Sequence, residues 1–309
     1  MHDAPTIVVI GGANYDYLAR GEKLPAPGAT EQGDLIDDAP GGKGANQAVA
    51  AARFGARVAF VGRIGADDRG DRVLSAFHRE RVDTTYLTRD TQAPTGVALV
   101  HVDDSGQKQI LAVPGANSRL TPQDVHAARQ LIASAKILLL QLEVPLNTVL
   151  AAAQIGRDAG IKILLDPAPA VPLPNELLRV CDAIKPNSAE ARVLTGIEVN
   201  DRDSARRASL QLLDRGVAAV SVAAGEGTLA SWRGGECWLP RLPVKSVDAT
   251  GAGDAFAAGL AVALAEGKPF PEACAFANAT AALATTVVGA QAAMPSHETV
   301  LELLTRFSQ

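Results

Sequence analysis

Short runs of β-branched and aliphatic residues alternate with helical segments over most of this chain, and that alternation restricts the fold more than any other feature. The strand-like runs lie at 6–12, 57–62, 136–142, 161–167, 182–186 and 217–223. A helical period is found at 66–82, 121–135 and 202–216, and Thr121 followed by Pro122 is a helix start signal. Apolar strands joined by helical crossovers are typical of parallel sheets covered on both faces. The sequence therefore predicts an α/β fold with three αβα layers and a central, mostly parallel sheet.

Two stretches do not follow this alternation. Residues 93–114 have the pattern of two strands joined by a turn at Asp103–Gly106. Residues 17–40 are irregular, rich in Gly, Pro and acidic residues, and without a helical period. We expect both stretches to form a small β-sheet lid, made by insertions at about 14–40 and 93–115. Because no internal repeat or low-complexity linker is present, residues 1–309 are expected to form a single domain.

Charge and cysteine content limit the classes of partner. The chain has a formal net charge of −5 and a sequence pI of about 5.6, which argues against nucleic acid or an anionic membrane held mainly by charge. The cysteines are scattered and lack a CxxC pair, so we expect a reducing, cytoplasmic environment. The N-terminal residues lack the basic and apolar regions of a signal peptide, and the Asn and Thr residues of 273–290 suit a packed core helix better than a membrane span.

The stretch VDATGAGDAF, residues 247–256, is the strongest candidate for chemistry. Gly251 and Gly253 let the backbone approach a ligand closely, and a helix from about Ala252 to Glu266 would present its first N–H groups to an anion. Asp254 at that corner is poorly placed for phosphate binding alone, but it suits a general base that accepts a proton from an alcohol attacking phosphorus. The alternative is an ordinary helix start, where an aspartate is favourable against the helix dipole.

A second glycine cluster, GGKGAN at 41–46, precedes another Ala-rich helix. Its backbone amides, together with Lys43 and Asn46, provide enough hydrogen-bonding groups for several hydroxyls of one polyol. It is not a Walker A loop, since Gly44 follows the lysine where Ser or Thr is required. The alternative is a loop-to-helix junction in which glycine serves only close packing. The VDATGAGDAF stretch is not a dinucleotide fingerprint either, because Phe256 occupies the third glycine position.

These two motifs together resemble the signatures of the ribokinase (PfkB-type) family of carbohydrate kinases. The likeness extends along the chain through NYD at 14–16, QLEVP at 141–145, KPNSAEARVLTG at 185–196 and GAQAAMP at 289–295. GGKGANQAVAAARFGA and QLEVP resemble the ribokinase branch more than the adenosine-kinase or fructokinase branches. The resemblance implies a ribokinase-like fold and ATP-dependent phosphorylation of the primary 5-hydroxyl of D-ribose, with ATP, Mg²⁺ and K⁺ as cofactors.

The resemblance also implies roles for particular residues. Those matching the sugar site are Asn14 and Asp16, which are expected at the end of the first strand, together with Gly42, Lys43, Gly44, Ala45, Asn46, Glu143 and Asp254. Asp254 matches the base, and Gly251, Ala252 and Gly253 match the anion hole. Asn187, Val222, Ala223, Ala224, Gly225, Glu226, Gly227, Gly253 and Asn278 match nucleotide contacts. Asn187 and Glu190 match the Mg²⁺ motif, acting through water, and they also fit a capping box. Asp248, Thr250, Ala284, Val287, Gly289 and Ala293 match the potassium site.

Three departures from the family pattern leave alternatives open. The nucleotide loop reads VAAGEG at 222–227 where the family commonly has Thr-Leu-Gly-x-x-Gly, which suggests a non-catalytic sugar- or nucleotide-sensing module as one alternative. Ala293 stands where ribokinases often have Ser, and this bears on potassium dependence. Tyr15 and Tyr17 flank Asp16, and they suggest either lid core or a kinase of a nucleoside or another furanose or ketose sugar. Lid strands with open edges also lead us to expect a homodimer formed through the lid.

Overall fold

The computed structural model describes residues 6–104 and 107–307. The strands are β1 (Thr6–Ile10), β2 (Asn14–Gly21), β3 (Gly33–Gly41), β4 (Arg57–Gly65), β5 (Asp83–Asp90), β6 (Gly96–Asp103), β7 (Lys108–Val113), β8 (Ile137–Leu140), β9 (Lys162–Leu165), β10 (Ala183–Ile184), β11 (Ala219–Ala224), β12 (Gly227–Trp232) and β13 (Gly235–Pro240). The helices are α1 (Lys43–Arg53), α2 (Asp68–Arg79), α3 (Pro122–Ala127), α4 (Arg129–Ser134), α5 (Leu146–Asp158), α6 (Asn175–Val180), α7 (Ser188–Thr195), α8 (Arg202–Asp214), α9 (Ala252–Ala265), α10 (Phe270–Ala284) and α11 (His297–Phe307). Each of the six strand-like runs overlaps one of these strands: β1, β4, β8, β9, β10 or β11.

The large sheet has the predicted mostly parallel character. Its order among the described residues is β13-β12-β11-β10-β9-β8-β1-β4-β5. Every neighbouring pair from β11 to β5 is parallel, and β12 and β13 add an antiparallel edge. The carboxyl ends of the parallel strands therefore lie along one edge of the sheet, where open α/β folds bind their ligands.

Helices cover both faces of the large sheet. Alternate residues of β1 show the division, because Ile7 and Val9 join one buried cluster and Val8 and Ile10 join the other. The first cluster includes apolar residues of α1, α9 and α10, and the second includes those of α5 and α8. Each fully buried aliphatic side chain of this kind contributes about 1.5–3 kcal/mol. The predicted three-layer αβα arrangement is confirmed.

The small sheet has the order β3-β2-β6-β7, and it combines the two stretches expected to form a lid. Two details of the expectation were wrong. Most of 17–40 is not irregular, since β2 and β3 occupy it and only the segment between them lacks regular structure. Asn14 and Asp16 do not end the first strand but begin β2, because β1 ends at Ile10 and the chain leaves the large sheet there. Pro40 is tolerated because β3 is an edge strand. Of the expected turn at 103–106, the last two residues lie outside the described ranges.

The predicted helix at 121–135 is interrupted at Ala128, where α3 ends and α4 begins. Its start is as expected, because Thr121 and Asp124 form a capping box with Pro122 in the first turn. The helix predicted from Ala252 to Glu266 is α9, with Glu266 as its C-cap residue. The small-residue stretch at 273–290 is helical only to Ala284. Among the described residues, no helix has both the length and the apolar character needed to cross a membrane.

Candidate active site

The candidate site lies along the edge where the parallel strands end. Glu143 follows β8, Asp166 follows β9, and Lys185 follows β10. The N-terminal turns of α1 and α9 reach the same edge, and they bring Asn46 within hydrogen-bonding distance of Asp254. Residues far apart in sequence therefore meet there because the topology places one connection after another at the same edge.

Asp254 is held in place at the centre of the site. It is 6% exposed, and its two carboxylate oxygens accept hydrogen bonds from Asn46 Nδ2 at 3.0 Å and Gln47 Nε2 at 3.1 Å. Gln47 is fully buried and donates also to Asp166 Oδ2 at 2.8 Å. Both donors lie on the first turns of α1, so the two glycine motifs of the sequence form one arrangement. A carboxylate with fixed orientation in a water-poor site is suited to accept a proton from a bound hydroxyl.

The turn before α9 explains one of the two glycines. Gly251 is the N-cap residue with φ 78°, a left-handed conformation that favours glycine. A Cβ on Gly251 would also approach Ala290 and Met294 at 3.1 Å. The amide of Ala252 donates to the carbonyl of Ala249 at 3.3 Å, so the Gly253 and Asp254 amides are the better candidates for binding an anion.

A cluster of polar groups lies on the other side of Asp254. Asn14 is 6% exposed, and Asp16 and Asn46 each have a buried side-chain oxygen, Oδ1, without a hydrogen-bond partner. Glu143 Oε2 accepts from the backbone N–H of Lys43 at 2.7 Å, which fixes the GGKGAN loop against the end of β8. Gly42 has φ 88°, and a Cβ there would approach the backbone of Asn14 at 2.7 Å. Unpartnered oxygens inside a closely packed polar cluster indicate a site for a ligand that donates hydrogen bonds.

Burial controls the charges of this cluster. It raises the pKa of Asp16 to about 7, with a further contribution from the negative charge of Asp254. Burial also raises the pKa of Glu143 to about 7, although the ammonium of Lys43 opposes the rise. Burial alone would lower the pKa of Lys43, but Asp254, Asp166 and Glu143 together raise it above its usual range. Lys43 is therefore charged, and it offsets part of the negative charge of the site.

An open cleft of about 870 Å³ begins at Asp254 and extends past the ends of β10 and β11. Among the residues implied by the resemblance, it is lined by Lys43, Asn187, Glu190, Ala223, Ala224, Gly225, Gly227, Gly251, Ala252, Gly253, Asp254 and Asn278. The size suits a nucleotide. Asn278 contributes its side chain to the wall while its Nδ2 donates to the Pro240 carbonyl at 2.9 Å.

The VAAGEG segment forms the end of β11, a two-residue turn at Gly225 and Glu226, and the first residue of β12. Val222 is fully buried and packs in the core cluster below the sheet, so its side chain does not face the cleft. Neither Val222 nor Glu226 lines the cleft. These two residues were implied as nucleotide contacts, and the structure does not place them at the nucleotide-sized cleft. For Val222 the reason is the strand period of two, which turns alternate side chains of β11 to opposite faces. Glu226 lies outside β11, in the turn that follows it.

Asn187 and Glu190 form the expected capping box at the start of α7. Asn187 Oδ1 accepts from the Glu190 amide at 2.9 Å, and Glu190 accepts from the Asn187 backbone and side chain, each at 2.8 Å. Burial raises the pKa of Glu190, and the nearby charge of Lys185 opposes that rise. In the part of the chain that the structure describes, no group of three or more His, Cys, Asp or Glu side chains is placed to hold a metal ion.

The residues implied for potassium lie on two loops that meet beside α9. Asp248 Oδ2 accepts from the Gly289 amide at 2.9 Å, and Asp248 Oδ1 accepts from the Thr250 amide at 2.9 Å and its hydroxyl at 2.6 Å. Ala284 ends α10, Val287 is 47% exposed, and Ala293 is buried. The structure therefore brings the two loops together, with Asp248 as the side chain that joins them.

Tyr15 and Tyr17 lie away from this site. They belong to β2, where Asn14 and Asp16 face the polar cluster and the tyrosines point to the opposite face of the small sheet. The Tyr15 hydroxyl donates to Asp38 at 2.9 Å and accepts from Arg72 at 2.8 Å, and its ring lies edge-on to Tyr17. Of the alternatives left open by the sequence, lid core is the correct one.

Four residues that the site uses were not singled out as site residues. Gln47 directly follows the GGKGAN motif, Asp166 and Lys185 lie near the ends of strand-like runs, and Asn117 lies just after the second lid stretch, where no pattern marks it. Asn117 Nδ2 donates to Asn14 Oδ1 at 2.7 Å, and Asn117 Oδ1 accepts from the Ala13 amide at 2.9 Å. Single polar residues after apolar runs were the available signal for Asp166 and Lys185.

Comparisons with known proteins agree with this geometry. The model of the pfkB family of carbohydrate kinases matches residues 4–297. The chain is 42% identical over 300 residues to the ribokinase of Haemophilus influenzae, with 97% of this chain and 98% of that protein covered. It is 35% identical over 300 residues to the deoxyribokinase of Salmonella typhi, with 96% and 98% covered. The solved structure of Arabidopsis thaliana ribokinase complexed with ribose and ATP superposes with a TM-score of 0.88 at 35% identity, covering 97% of this chain and 99% of that one.

A buried carboxylate at a helix N-terminus, between a polar cluster and a nucleotide-sized cleft, defines a kinase that acts on a small hydroxylated substrate. The chain belongs to the PfkB family of carbohydrate kinases. The ribokinase-like fold that the sequence motifs implied is confirmed.

Proposed function

We propose that this protein transfers the γ-phosphoryl group of ATP to the primary 5-hydroxyl of D-ribose, giving ribose 5-phosphate and ADP. One observation supports this most directly. Asp254 is held by Asn46 and Gln47 between the polar cluster and the cleft, which is where an attacking hydroxyl and a phosphoryl group would meet. The names of the similar proteins, ribokinases in several organisms, support ribose as the sugar.

In this mechanism the polar cluster binds the sugar. Asn14, Asp16, Asn46 and Glu143 exchange hydrogen bonds with its hydroxyls, and Lys43 with the amides of Gly42 and Gly44 completes the set. The Ala45 amide is a correction to the implied sugar set, because it donates to the Gly12 carbonyl at 3.0 Å. The Asp254 carboxylate accepts the proton of the 5-hydroxyl as its oxygen attacks phosphorus. The amides of Gly253 and Asp254 at the start of α9 stabilise negative charge on the transferred group.

The chain is proposed to act as one domain in which the lid, made from about 14–40 and 93–115, closes over the sugar. Closure excludes water, so that ATP is not hydrolysed without a sugar acceptor. Since Asn14 and Asp16 lie at the base of the lid where β2 begins, the sugar contacts are placed close to the large sheet.

Magnesium and potassium are part of the proposal. Both Glu190 carboxylate oxygens already accept hydrogen bonds from Asn187, which fits a Mg²⁺ ion held by the ATP phosphates and reached from Glu190 through water. When bound, Mg²⁺ neutralises phosphate charge. The oxygen-rich loops joined by Asp248 fit a potassium ion through Thr250 and the backbone oxygens of Ala284, Val287, Gly289 and Ala293.

The nucleotide is proposed to lie in the cleft beyond Asp254. Its phosphates would face the start of α9 and Asn187, and its base would lie near Asn278 and the turn at Ala223–Gly227. The polar atoms available from that turn are backbone groups, since its side chains at Ala223 and Ala224 are methyl groups.

A second candidate substrate is 2-deoxyribose. The deoxyribokinase of Salmonella typhi is as similar to this chain, at 35% identity, as the Arabidopsis ribokinase of known structure. The two sugars share the 5-hydroxyl that is phosphorylated, so the same base and anion-binding amides would serve both.

A coupled ADP-release assay tests the proposal. With ATP and Mg²⁺, with and without K⁺, the panel is D-ribose, 2-deoxyribose, fructose, adenosine, cytidine and pseudouridine. We expect the highest kcat/KM on ribose and stimulation by K⁺. Highest turnover on 2-deoxyribose would replace the substrate and keep the mechanism. Highest turnover on a nucleoside would contradict the assignment of the polar cluster to a free sugar.

We also propose a homodimer that forms through the lid, in the cytoplasm where ATP is available. On β7, an edge strand of the small sheet, Ile110, Leu111 and Val113 are 63%, 64% and 51% exposed, and Leu99 on β6 is 40% exposed. An apolar edge strand of this kind is usually covered by another chain. Light scattering after gel filtration should give twice the mass of 31.9 kDa, and Leu111→Lys should give the monomer mass.

A further inference from the structure

Lys185 is a buried ammonium group at the wall of the cleft. It follows β10 at the carboxyl edge of the large sheet, and the residue is 8% exposed. Its Nζ donates to Asp166 Oδ1 at 2.8 Å. A Cβ placed on Gly253 would lie 3.5 Å from the same Nζ, so Lys185 is next to the start of α9 as well as to Asp166.

This position is costly for a purely structural lysine. Burying an ammonium is unfavourable unless its charge and its donors are satisfied. An ammonium has three N–H donors, and Asp166 Oδ1 accepts one of them while Asp166 Oδ2 accepts from Gln47. Lys185 lines the cleft, which is the place from which further acceptors can reach it. The phosphate oxygens of a nucleotide are acceptors of the required charge.

We propose that Lys185 is a catalytic residue whose ammonium binds an oxygen of the phosphoryl group during transfer, and that Asp166 is its positioning residue. This inference rests on the proposed kinase function. In the step, the sugar 5-oxygen forms a bond to phosphorus, the bond from phosphorus to the bridging oxygen of ADP breaks, and the hydroxyl proton passes to Asp254. Lys185 stays protonated throughout, and it stabilises the negative charge beside the Gly253 amide.

One alternative explains the same contacts without catalysis. Asp166 is 1% exposed and connected through Gln47 to Asp254, so Lys185 could serve only to neutralise Asp166. Removing Lys185 would then leave an unpaired carboxylate near the base and slow the reaction indirectly. The two explanations predict different effects on kcat when Lys185 is removed and Asp166 is neutralised in the same variant.

The test is therefore a double-mutant comparison of Lys185→Met, Asp166→Asn and the combined variant. Two quantities are measured: kcat with the best sugar of the panel, and the affinity for inorganic vanadate with ADP, Mg²⁺ and that sugar, a mimic of the transferred phosphoryl group. We expect Lys185→Met to lower kcat by about 10²–10³-fold, as removal of one transition-state donor does elsewhere. Vanadate affinity should fall by a comparable factor, while calorimetric affinity for the sugar alone changes less than about threefold.

The combined variant decides between the explanations. If Lys185 acts on the phosphoryl group, Lys185→Met with Asp166→Asn stays about 10²-fold slower than Asp166→Asn alone. Recovery to within about threefold of Asp166→Asn, or unchanged vanadate affinity in Lys185→Met, would overturn the proposal. If Lys185→Met fails to fold because Asp166 is left unpaired, the combined variant against Asp166→Asn gives the same answer.

The substrate proposal can fail separately from this one. Wild-type turnover of a panel member other than ribose would reject ribose, and the Lys185 comparison would then use that substrate. If the wild type turns over no panel member, the kinase proposal fails. Vanadate affinity measured with ADP and Mg²⁺ still tests the contact in that case, and equal affinity in wild type and Lys185→Met would reject it.

Discussion

The large sheet and the small sheet hold their polar residues differently. At the edge of the large sheet, Asp254 and Asp166 are almost fully buried and each accepts hydrogen bonds from a named donor. In the small sheet, more than half of Ile110 and Leu111 on β7 is exposed, and Asn14 and Asp16, near the start of β2, are the polar groups that it brings to the site among its described residues. The large sheet, which is covered by helices on both faces, therefore positions the groups that need exact placement. The small sheet covers the substrate.

Asp254→Asn should have the largest effect, because it removes the base and keeps its size. We expect kcat to fall by about 10³-fold or more, with sugar affinity changed less than about threefold. Steady-state kinetics and calorimetry on the same preparation check this. As a matched control, Asp203→Asn alters an exposed aspartate on α8 and should leave kcat unchanged. Turnover near the wild-type rate would remove Asp254 from the base role.

Asn117→Ser tests the junction between the two sheets. Asn117 is 1% exposed and orients the Asn14 amide by donating to its Oδ1, so that the Asn14 N–H groups remain for the sugar. Loss of that bond should raise the sugar KM by about tenfold at nearly constant kcat, since a buried unsatisfied group costs about 1–3 kcal/mol. Asn147→Ser, at an exposed position, is the control. A fall in kcat without a change in KM would show that Asn117 does not act on the sugar.

The pH dependence of sugar binding should show the buried carboxyl groups. Burial raises the pKa of Asp16 and Glu143 from 3.8 and 4.5 to about 7. Hydroxyl donors favour the ionised forms, so the sugar KM should fall severalfold from about pH 6 to about pH 8, with proton release on binding near pH 7. Calorimetry in two buffers with different ionisation enthalpies counts those protons, and Asp16→Asn should reduce the count. Proton uptake instead of release would contradict this assignment.

The same two groups affect folding with the opposite sign. Between about pH 4 and about pH 7 the native state holds protons on Asp16 and Glu143 that the unfolded state has lost. Their contribution to the free energy of unfolding therefore falls as pH rises through that window. Urea titrations of the wild type and Asp16→Asn, without sugar, should differ in the slope of stability against pH over this range.

Tyr15→Phe should have the smallest effect on catalysis. The variant loses the hydrogen bonds of the Tyr15 hydroxyl to Asp38 and Arg72, on the face of the small sheet opposite to Asn14 and Asp16. We expect a stability loss of about 0.5–1 kcal/mol and a sugar KM within about twofold of the wild type. Urea denaturation measures the first and the coupled assay the second. A change in KM above about fivefold would mean that this face of the small sheet is coupled to sugar binding.

The sequence was sufficient for six of the nine strands of the large sheet and for part of the site. Apolar runs predicted β1, β4, β8, β9, β10 and β11, and the glycine motifs located Asp254 and Asn46. The strands β5, β12 and β13 were not predicted, because their sequences mix polar and apolar residues and form no continuous apolar run. The orientation of Tyr15 and Tyr17 could not be predicted, since it depends on how β2 pairs with β3 and β6. β3 was missed as a strand because Pro and acidic residues are tolerated on an exposed edge.

Lys185 and Asp166 were missed for a different reason. Each is a single charged residue after an apolar run, and such residues commonly end surface strands. Their pairing across the edge of the sheet requires that β9 and β10 be neighbours, which the chain order alone does not establish. The cleft beside Lys185 is lined by further segments, including α10 and the start of α9, and their placement cannot be read from the residues around Asp166 and Lys185.

The hydrogen bond between Asn46 and Asp254 joins positions 208 residues apart in the chain. During synthesis, the GGKGAN loop leaves the ribosome long before Asp254 does. A chain that has only the loop lacks the base, and it is therefore not expected to use ATP. Kinase activity measured during translation or refolding therefore counts only the molecules in which the first and last quarters of the chain have already packed together.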